Sequence, residues 1–151
     1  MKYNKDINII TECDVVVCGS GPAGICAAVS AAREGCNVVL VERYGVIGGN
    51  LTVGNVNPIL GSVSKGTIYD EIIALLSENH SDSEKVSTRN GKEIHIDPEE
   101  AKTLLINYVY KNAVRVMLQC AIVDTIVEDN KVSGIIVTTP QGIGLISAKT
   151  V

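Results

Sequence analysis

Phenylalanine and tryptophan are both absent, so five tyrosines supply every aromatic ring in the 151 residues. A stacking platform for single-stranded nucleic acid needs aromatics beside basic residues, and basic residues are short as well. Lys and Arg number 13 against 17 Asp and Glu, for a formal net charge of −4. That balance leaves no footprint for a nucleic-acid backbone or an anionic membrane surface. Long apolar runs are missing too. The longest weakly polar stretch, Pro22 to Ala32, falls far short of a bilayer span and runs into Arg33 and Glu34. Met1 to Glu12 is polar and lacks the apolar segment of a signal peptide. The expectation is a soluble, cytoplasmic protein with no nucleic-acid or membrane partner.

Paired cysteines are the next absence. The five cysteines, at 13, 18, 26, 36 and 120, are odd in number and show no C-x-x-C spacing. This argues against a disulfide framework and against a zinc site. Cys18 and Cys26 lie in apolar segments, where a buried thiol behaves as a small hydrophobe. Only two histidines occur, His80 in a polar stretch and His95 in an alternating one. Neither has a nucleophile or carboxylate partner assignable from sequence, so both are expected to be structural or solvated. Asn50-Leu51-Thr52 and Asn79-His80-Ser81 match the glycosylation pattern, without a secretory signal to accompany them.

What is present has a clear order. Cys13 to Cys18 is a β-branched run ending at Gly19, as expected of a strand buried on both faces. Pro22 to Glu34 is rich in Ala with helical spacing, and Gly35 follows as a helix-ending residue. Val38 to Val41 is a second apolar strand, closed by Glu42. Together residues 12–42 read as one βαβ unit. Arg43 to Ser64 holds several glycines and little periodicity, which predicts a long shaped loop. Ile68 to Leu76 has the spacing of an amphipathic helix. Ser77 to Asn90 is polar and expected at the surface, and Lys92 to Ile96 alternates as a short strand would. Asp97-Pro98-Glu99-Glu100 is a helix start with an Asp cap, and that helix runs to about Asn112. Val114 to Leu118 is a third apolar strand. Ile122 to Val127, Val132 to Val137 and Ile143 to Ser147, separated by turns, form an antiparallel β-meander.

Chemistry enters at Gly19-Ser20-Gly21-Pro22-Ala23-Gly24, a G-x-G-x-x-G sequence. It follows a strand, opens a helix, and has Glu42 eighteen residues beyond Gly24. That context is what a dinucleotide fingerprint requires. Gly19 permits the tight turn, Gly21 lets a pyrophosphate approach the backbone, and Gly24 lets helix and strand pack closely. The unpaired N–H groups and the helix dipole favour the anion. Glu42, at the end of the second strand, is placed to accept hydrogen bonds from both adenosine ribose hydroxyls, and its charge would repel a 2′-phosphate.

The fingerprint alone does not separate FAD from NAD. The segment Glu42-Arg43-Tyr44-Gly45-Val46-Ile47-Gly48-Gly49-Asn50 resembles the acid-then-Gly-Gly stretch of FAD-dependent oxidoreductases related at this domain to fumarate reductase flavoproteins. The resemblance continues through Lys65 to Tyr69, His95 to Glu99 and the meander, and is most specific over the first fifty residues. It implies a Rossmann-like FAD-binding α/β domain over 1–151. Gly48, Gly49 and Asn50 would then lie along the pyrophosphate and flavin side, Arg43 near the adenosine end, and Ile122 would contact adenine through its backbone. An exposed Arg43 and an Ile122 that is merely core are the competing readings. Disulfide reductases, which resemble this chain early on, carry C-x-x-x-x-C shortly after the Gly-Gly. Asn50 to Ile59 has no cysteine, so a dithiol mechanism is disfavoured.

Strands 13–18, 38–42 and 114–118 are expected in the parallel order 3-2-1, with one edge of the first strand left open. The resemblance implies a fourth strand after the meander, where this sequence reaches Ser147-Ala148-Lys149-Thr150-Val151. The chain is therefore expected to be a fragment of a longer one, and to self-associate as a homo-oligomer through the open edge. Three functions remain in view: an FAD-dependent oxidoreductase acting on a small organic substrate, a non-catalytic dinucleotide-binding module, and an NAD-dependent dehydrogenase.

Overall fold

The computed structural model describes residues 6–61, 65–78, 85–88 and 91–151. A six-stranded sheet carries the architecture. Its first strand, β1, runs Ile9–Cys18 and leads into helix α1, Pro22–Arg33, and then β2, Val38–Val41. Ala-rich α1 buries Ile25, Ala28 and Val29, one helical stripe, against the sheet. Its C-terminus is closed by a Schellman arrangement. Gly35, at φ +85°, donates to the Ala32 carbonyl and Cys36 donates to that of Ala31. This returns the chain directly into β2, which pairs parallel with β1 from Val15↔Val38 to Cys18↔Val41.

The segment after β2 is not wholly a loop. It holds a 3-10 turn at Gly49–Leu51 and a short strand β3, Pro58–Leu60. β3 belongs to a second sheet with β4, Lys85–Thr88, and β5, Gly91–His95, in the order β3-β5-β4. Three residues beginning with proline are too few to show a strand period, and the partner lies some thirty residues further on. Between them runs helix α2, Ile68–Glu78, whose entry is tied by the Asp70 carboxylate accepting the Gly66 and Thr67 N–H groups. His80 and the Asn79-His80-Ser81 sequon lie outside the described residues. Helix α3, Pro98–Lys111, starts as expected: Asp97 accepts from the N–H of Glu99 at 2.7 Å and of Glu100 at 3.2 Å.

Strand β6, Arg115–Met117, then pairs parallel with β2, and β7, Ala121–Glu128, β8, Lys131–Thr139, and β9, Gly142–Thr150, form the antiparallel meander. The full order is β6-β2-β1-β9-β8-β7. The expected 3-2-1 order of the three parallel strands is therefore present, but the open edge of β1 is not. β9 pairs antiparallel with β8 through Gly142 to Ser147 and parallel with β1 through Leu145 to Thr150. Lys149 and Thr150, expected to lie beyond the last meander strand where a fourth would begin, instead continue that last strand, and the Lys149 ammonium meets the Asp14 carboxylate at 2.7 Å. The meander's last strand is itself the neighbour of β1, so self-association through that edge loses its basis.

Both faces of the parallel strands are buried. Val38 and Leu40 face α1, α2 and α3 in one apolar cluster. Val39 and Val41 face Ile135, Val137, Ile146 and Ala148 of the meander in another. The buried cysteines are Cys13 and Cys120, whereas Cys26 is half-buried and Cys18 is exposed. Cys18 was expected inside, but it ends β1, beyond the cover of the helices. Among the described residues no helix is long and apolar enough to cross a membrane.

Candidate dinucleotide site

Everything at the site follows from how β1 hands over to α1. Gly19 takes φ +99°, a left-handed conformation that side chains rarely adopt, and its N–H donates to the Val41 carbonyl at 2.8 Å. A Cβ at Gly24 would collide with the Gly19 carbonyl oxygen, so only glycine lets the helix lie this close to the turn. At Gly21 a Cβ would meet nothing within 4 Å. Gly21 also caps α1 without a side chain, and Pro22 follows at the helix start. The first N–H groups of a helix have no partners within it, and here no side chain covers them. The result is a bare, positively polarised cradle.

Glu42 stands beside this turn, 6% exposed. Its Oε2 accepts the Ser20 N–H at 3.0 Å and the Ser20 hydroxyl at 2.5 Å, while Oε1 accepts the Tyr44 N–H at 2.9 Å. Burial alone pushes the carboxyl up, but these hydrogen bonds, helped by the Arg43 charge, hold it below its ordinary value. Glu42 is therefore an anion at neutral pH. Its main chain is fixed as well, with its N–H on the Met117 carbonyl and its carbonyl under the Cys120 N–H.

A second wall rises opposite. The Gly48 N–H donates to the Ser20 carbonyl at 2.8 Å, and Gly49, at φ +55°, sits where a Cβ would come within 2.9 Å of the Gly21 Cα. The turn is held from behind by Thr52, whose buried hydroxyl donates to the Ile47 carbonyl at 2.6 Å. Gly54 backs Asn50 so closely that a Cβ there would come within 2.7 Å of the Asn50 Cα.

Between the walls lies a cleft of about 550 Å³. Of the residues singled out in sequence, Gly19, Ser20, Gly21, Glu42, Arg43, Gly49, Asn50 and Ile122 line it. Pro22, Ala23, Gly24 and Gly48 are not in the lining; Pro22 and Ala23 are exposed at the helix start, and Gly48 is buried. Ile122 is 40% exposed, so it is not the buried core residue of the competing reading. Arg43 is exposed but engaged, its guanidinium 4.6 Å from the Tyr44 ring centre. Sequence reasoning missed Cys18, Val41, Tyr44, Val53, Gly54, Cys120 and Ala121 in the lining and Thr52 behind it. Only Tyr44 carried a signal, as an aromatic ring directly after the acid-Arg pair. His95 is absent from this lining and faces Glu93 at 3.6 Å. Among the described residues no cluster of His, Cys, Asp or Glu could hold a metal ion.

The model of the FAD dependent oxidoreductase family matches residues 14–151. The chain belongs to that family. Thiamine thiazole synthase of Pyrococcus horikoshii is 29% identical over 138 residues, covering 89% of this chain and 50% of that protein. Urocanate reductase of Eggerthella lenta is 52% identical over 42 residues, 28% of this chain and 7% of that protein. In the open conformation of a flavocytochrome c3 fumarate reductase the fold recurs with a TM-score of 0.66 at 18% identity, over 95% of this chain and 33% of that one. The chain thus spans half or less of the length of these relatives.

FAD is the cofactor of this family, and the residues present suit its adenosine-diphosphate half. The open space over Gly19 and Gly21 admits a phosphate to the backbone, the helix start supplies uncapped donors, and Glu42 supplies a fixed anion. Cys18 and Cys120 line the cleft as free thiols, and desolvation pushes both up, away from reactivity.

Proposed function

We propose that residues 1–151 form the FAD-binding domain of an oxidoreductase that moves a hydride or electrons to or from a small organic substrate. The observation that carries this reading is the bare glycine cradle with a buried, ionised Glu42 beside it in one cleft. The N–H groups at the start of α1 would face the pyrophosphate, and Glu42 would take the adenosine ribose. Arg43, Tyr44 and Ile122 would flank the adenine end, while Gly48, Gly49 and Asn50 would follow the pyrophosphate toward the flavin. FAD, when bound, supplies the redox chemistry, and the protein's part at this end is to anchor and orient it. Five cysteines without a disulfide among them suit a reducing compartment, which supports a cytoplasmic location.

The test is the visible absorption spectrum of the complete protein, followed by an FAD titration of the stripped protein with and without Glu42→Ala. Flavin bands and an affinity loss of about tenfold or more in the variant are expected, from loss of a charge-assisted bond. A colourless protein that takes up NAD and not FAD would overturn the proposal.

A further inference from the structure

A second recess lies away from the cleft, and none of its lining is shared with the dinucleotide site. It is a groove of about 610 Å³ between the C-terminal half of α1 and the entry to α2. Cys26, Ser30 and Glu34 lie four residues apart, on one face of α1, and line one side. Thr67, Ile68 and Tyr69 line the other.

The charges around this groove are unevenly matched. Arg33 is spent on Glu71, with both distances at 2.7 Å. Asp70 is spent on the Gly66 and Thr67 N–H groups. The Glu34 carboxylate, by contrast, has no ion-pair partner among the described residues. It also stands where α1 ends, at the negative pole of the helix dipole. Across the groove the Tyr69 ring is anchored, its hydroxyl donating to the Gly61 carbonyl at 3.1 Å. An aromatic face attracts a cation, and Cys26 and Ile68 add apolar surface beside it. An unmatched carboxylate, a helix C-terminus and an anchored ring all favour positive charge.

We propose that this groove binds an organic ammonium ion, a primary or quaternary amine on a short apolar body, with Glu34 as counter-ion and Tyr69 as aromatic contact. An anionic ligand would meet repulsion from Glu34 and from the helix end. At ~30 Å³ for a water-sized group, there is room for the ammonium and for the body behind it. The site is independent of the FAD cleft and of its chemistry. A free amine and a lysine side chain of another protein present the same group.

The experiment titrates the complete protein with choline, n-butylammonium and, as an anion of like size, butyrate, each followed by saturation-transfer NMR of the probe. Both ammonium ions should bind and butyrate should not. Glu34→Gln should weaken both by about threefold to fivefold, as should 1 M salt, the worth of one exposed charge pair. Tyr69→Leu should cost about threefold or more, while Tyr69→Phe, which keeps the ring, should stay within about twofold of wild type. Nα-acetyl-lysine amide is titrated alongside. Tighter binding than n-butylammonium assigns the groove to a partner's lysine, and weaker binding assigns it to a free amine. No binding of any ammonium ion, butyrate binding as well as n-butylammonium, or Glu34→Gln binding like wild type would each overturn the proposal. The flavin spectrum of the same samples reports on the FAD cleft separately.

Discussion

The two walls of the cleft are both glycine turns, yet they are built on different principles. In the first, Gly19 to Gly24, the close contact is backbone against backbone: a Cβ on Gly24 would strike the Gly19 carbonyl, and neither partner can rotate away. In the second, Gly48 to Gly54, a side chain holds the shape. A Cβ on Gly48 would strike the Thr52 methyl and hydroxyl at 2.5 and 2.8 Å, and that hydroxyl ties down the Ile47 carbonyl. The first wall is fixed by the strand and helix it joins. The second is a loop that borrows rigidity from one buried threonine and from the Gly48 to Ser20 hydrogen bond to the first wall. A rigid wall therefore serves as the template on which a softer one is laid.

The largest effect should come from breaking the rigid wall. Gly24→Ala puts a methyl group where the Gly19 carbonyl lies, and the only relief is to lift α1 off β1. Because α1 buries Ile25, Ala28 and Val29 completely, that movement opens the core. A cost of about 3 kcal/mol or more is expected, at the upper end of overpacking, read as a lowered urea midpoint. A midpoint equal to wild type would mean that α1 has freedom the packing does not suggest.

A smaller loss should follow at the softer wall. Thr52→Val keeps the shape and deletes the hydroxyl, leaving the Ile47 carbonyl without this donor. About 1–3 kcal/mol of stability should be lost, the cost of a buried unpaired acceptor, and Thr52→Ser should restore most of it. Thr52→Val should also weaken FAD severalfold while the first wall stays intact. Equal FAD affinity in Thr52→Val and wild type would show that the second wall needs no such brace.

The same contrast explains what could be read from the sequence. The first wall was legible because each glycine answers to a neighbour within six residues, and because strand, helix and acid recur at fixed spacing. The order β6-β2-β1 was legible for a related reason, since apolar runs such as Val38–Val41, buried on both faces, fit only an interior parallel strand. Thr52 was not legible, since a hydroxyl in a glycine-rich loop gives no sign of facing inward. Nor was the seating of β9 beside β1, a parallel pairing of Leu145 to Thr150 with Ile9 to Val15 across about 135 residues of sequence. Three-residue β3 was hidden for the same reason, its pairing with β5 being wholly non-local.

The smallest effect belongs to a contact that touches neither wall. At the far end of α1, Arg33 forks onto Glu71 of α2 with both distances at 2.7 Å, and the Tyr108 hydroxyl of α3 donates to the same carboxylate at 2.8 Å. The Arg33 guanidinium, and after it the Tyr108 hydroxyl, hold the Glu71 carboxyl down at about 2. A carboxyl depressed in the folded state contributes stability in full above its unfolded value, and the contribution fades as pH falls toward about 2. The side chains of Arg33 and Glu71 are 42% and 43% exposed, however, so water and salt screen most of that gain. Glu71→Gln should therefore lower the thermal midpoint at neutral pH by roughly 2 °C or less. The difference from wild type should shrink at 1 M salt and again near pH 2, where the wild-type carboxylate is itself being protonated. FAD affinity should not change, because the clasp lies at the C-terminal end of α1 and the cradle at its N-terminal end. A loss of flavin as large as that of Thr52→Val would mean that the three-helix clasp sets the position of the cradle, and that the rigid wall is rigid only while the clasp is closed.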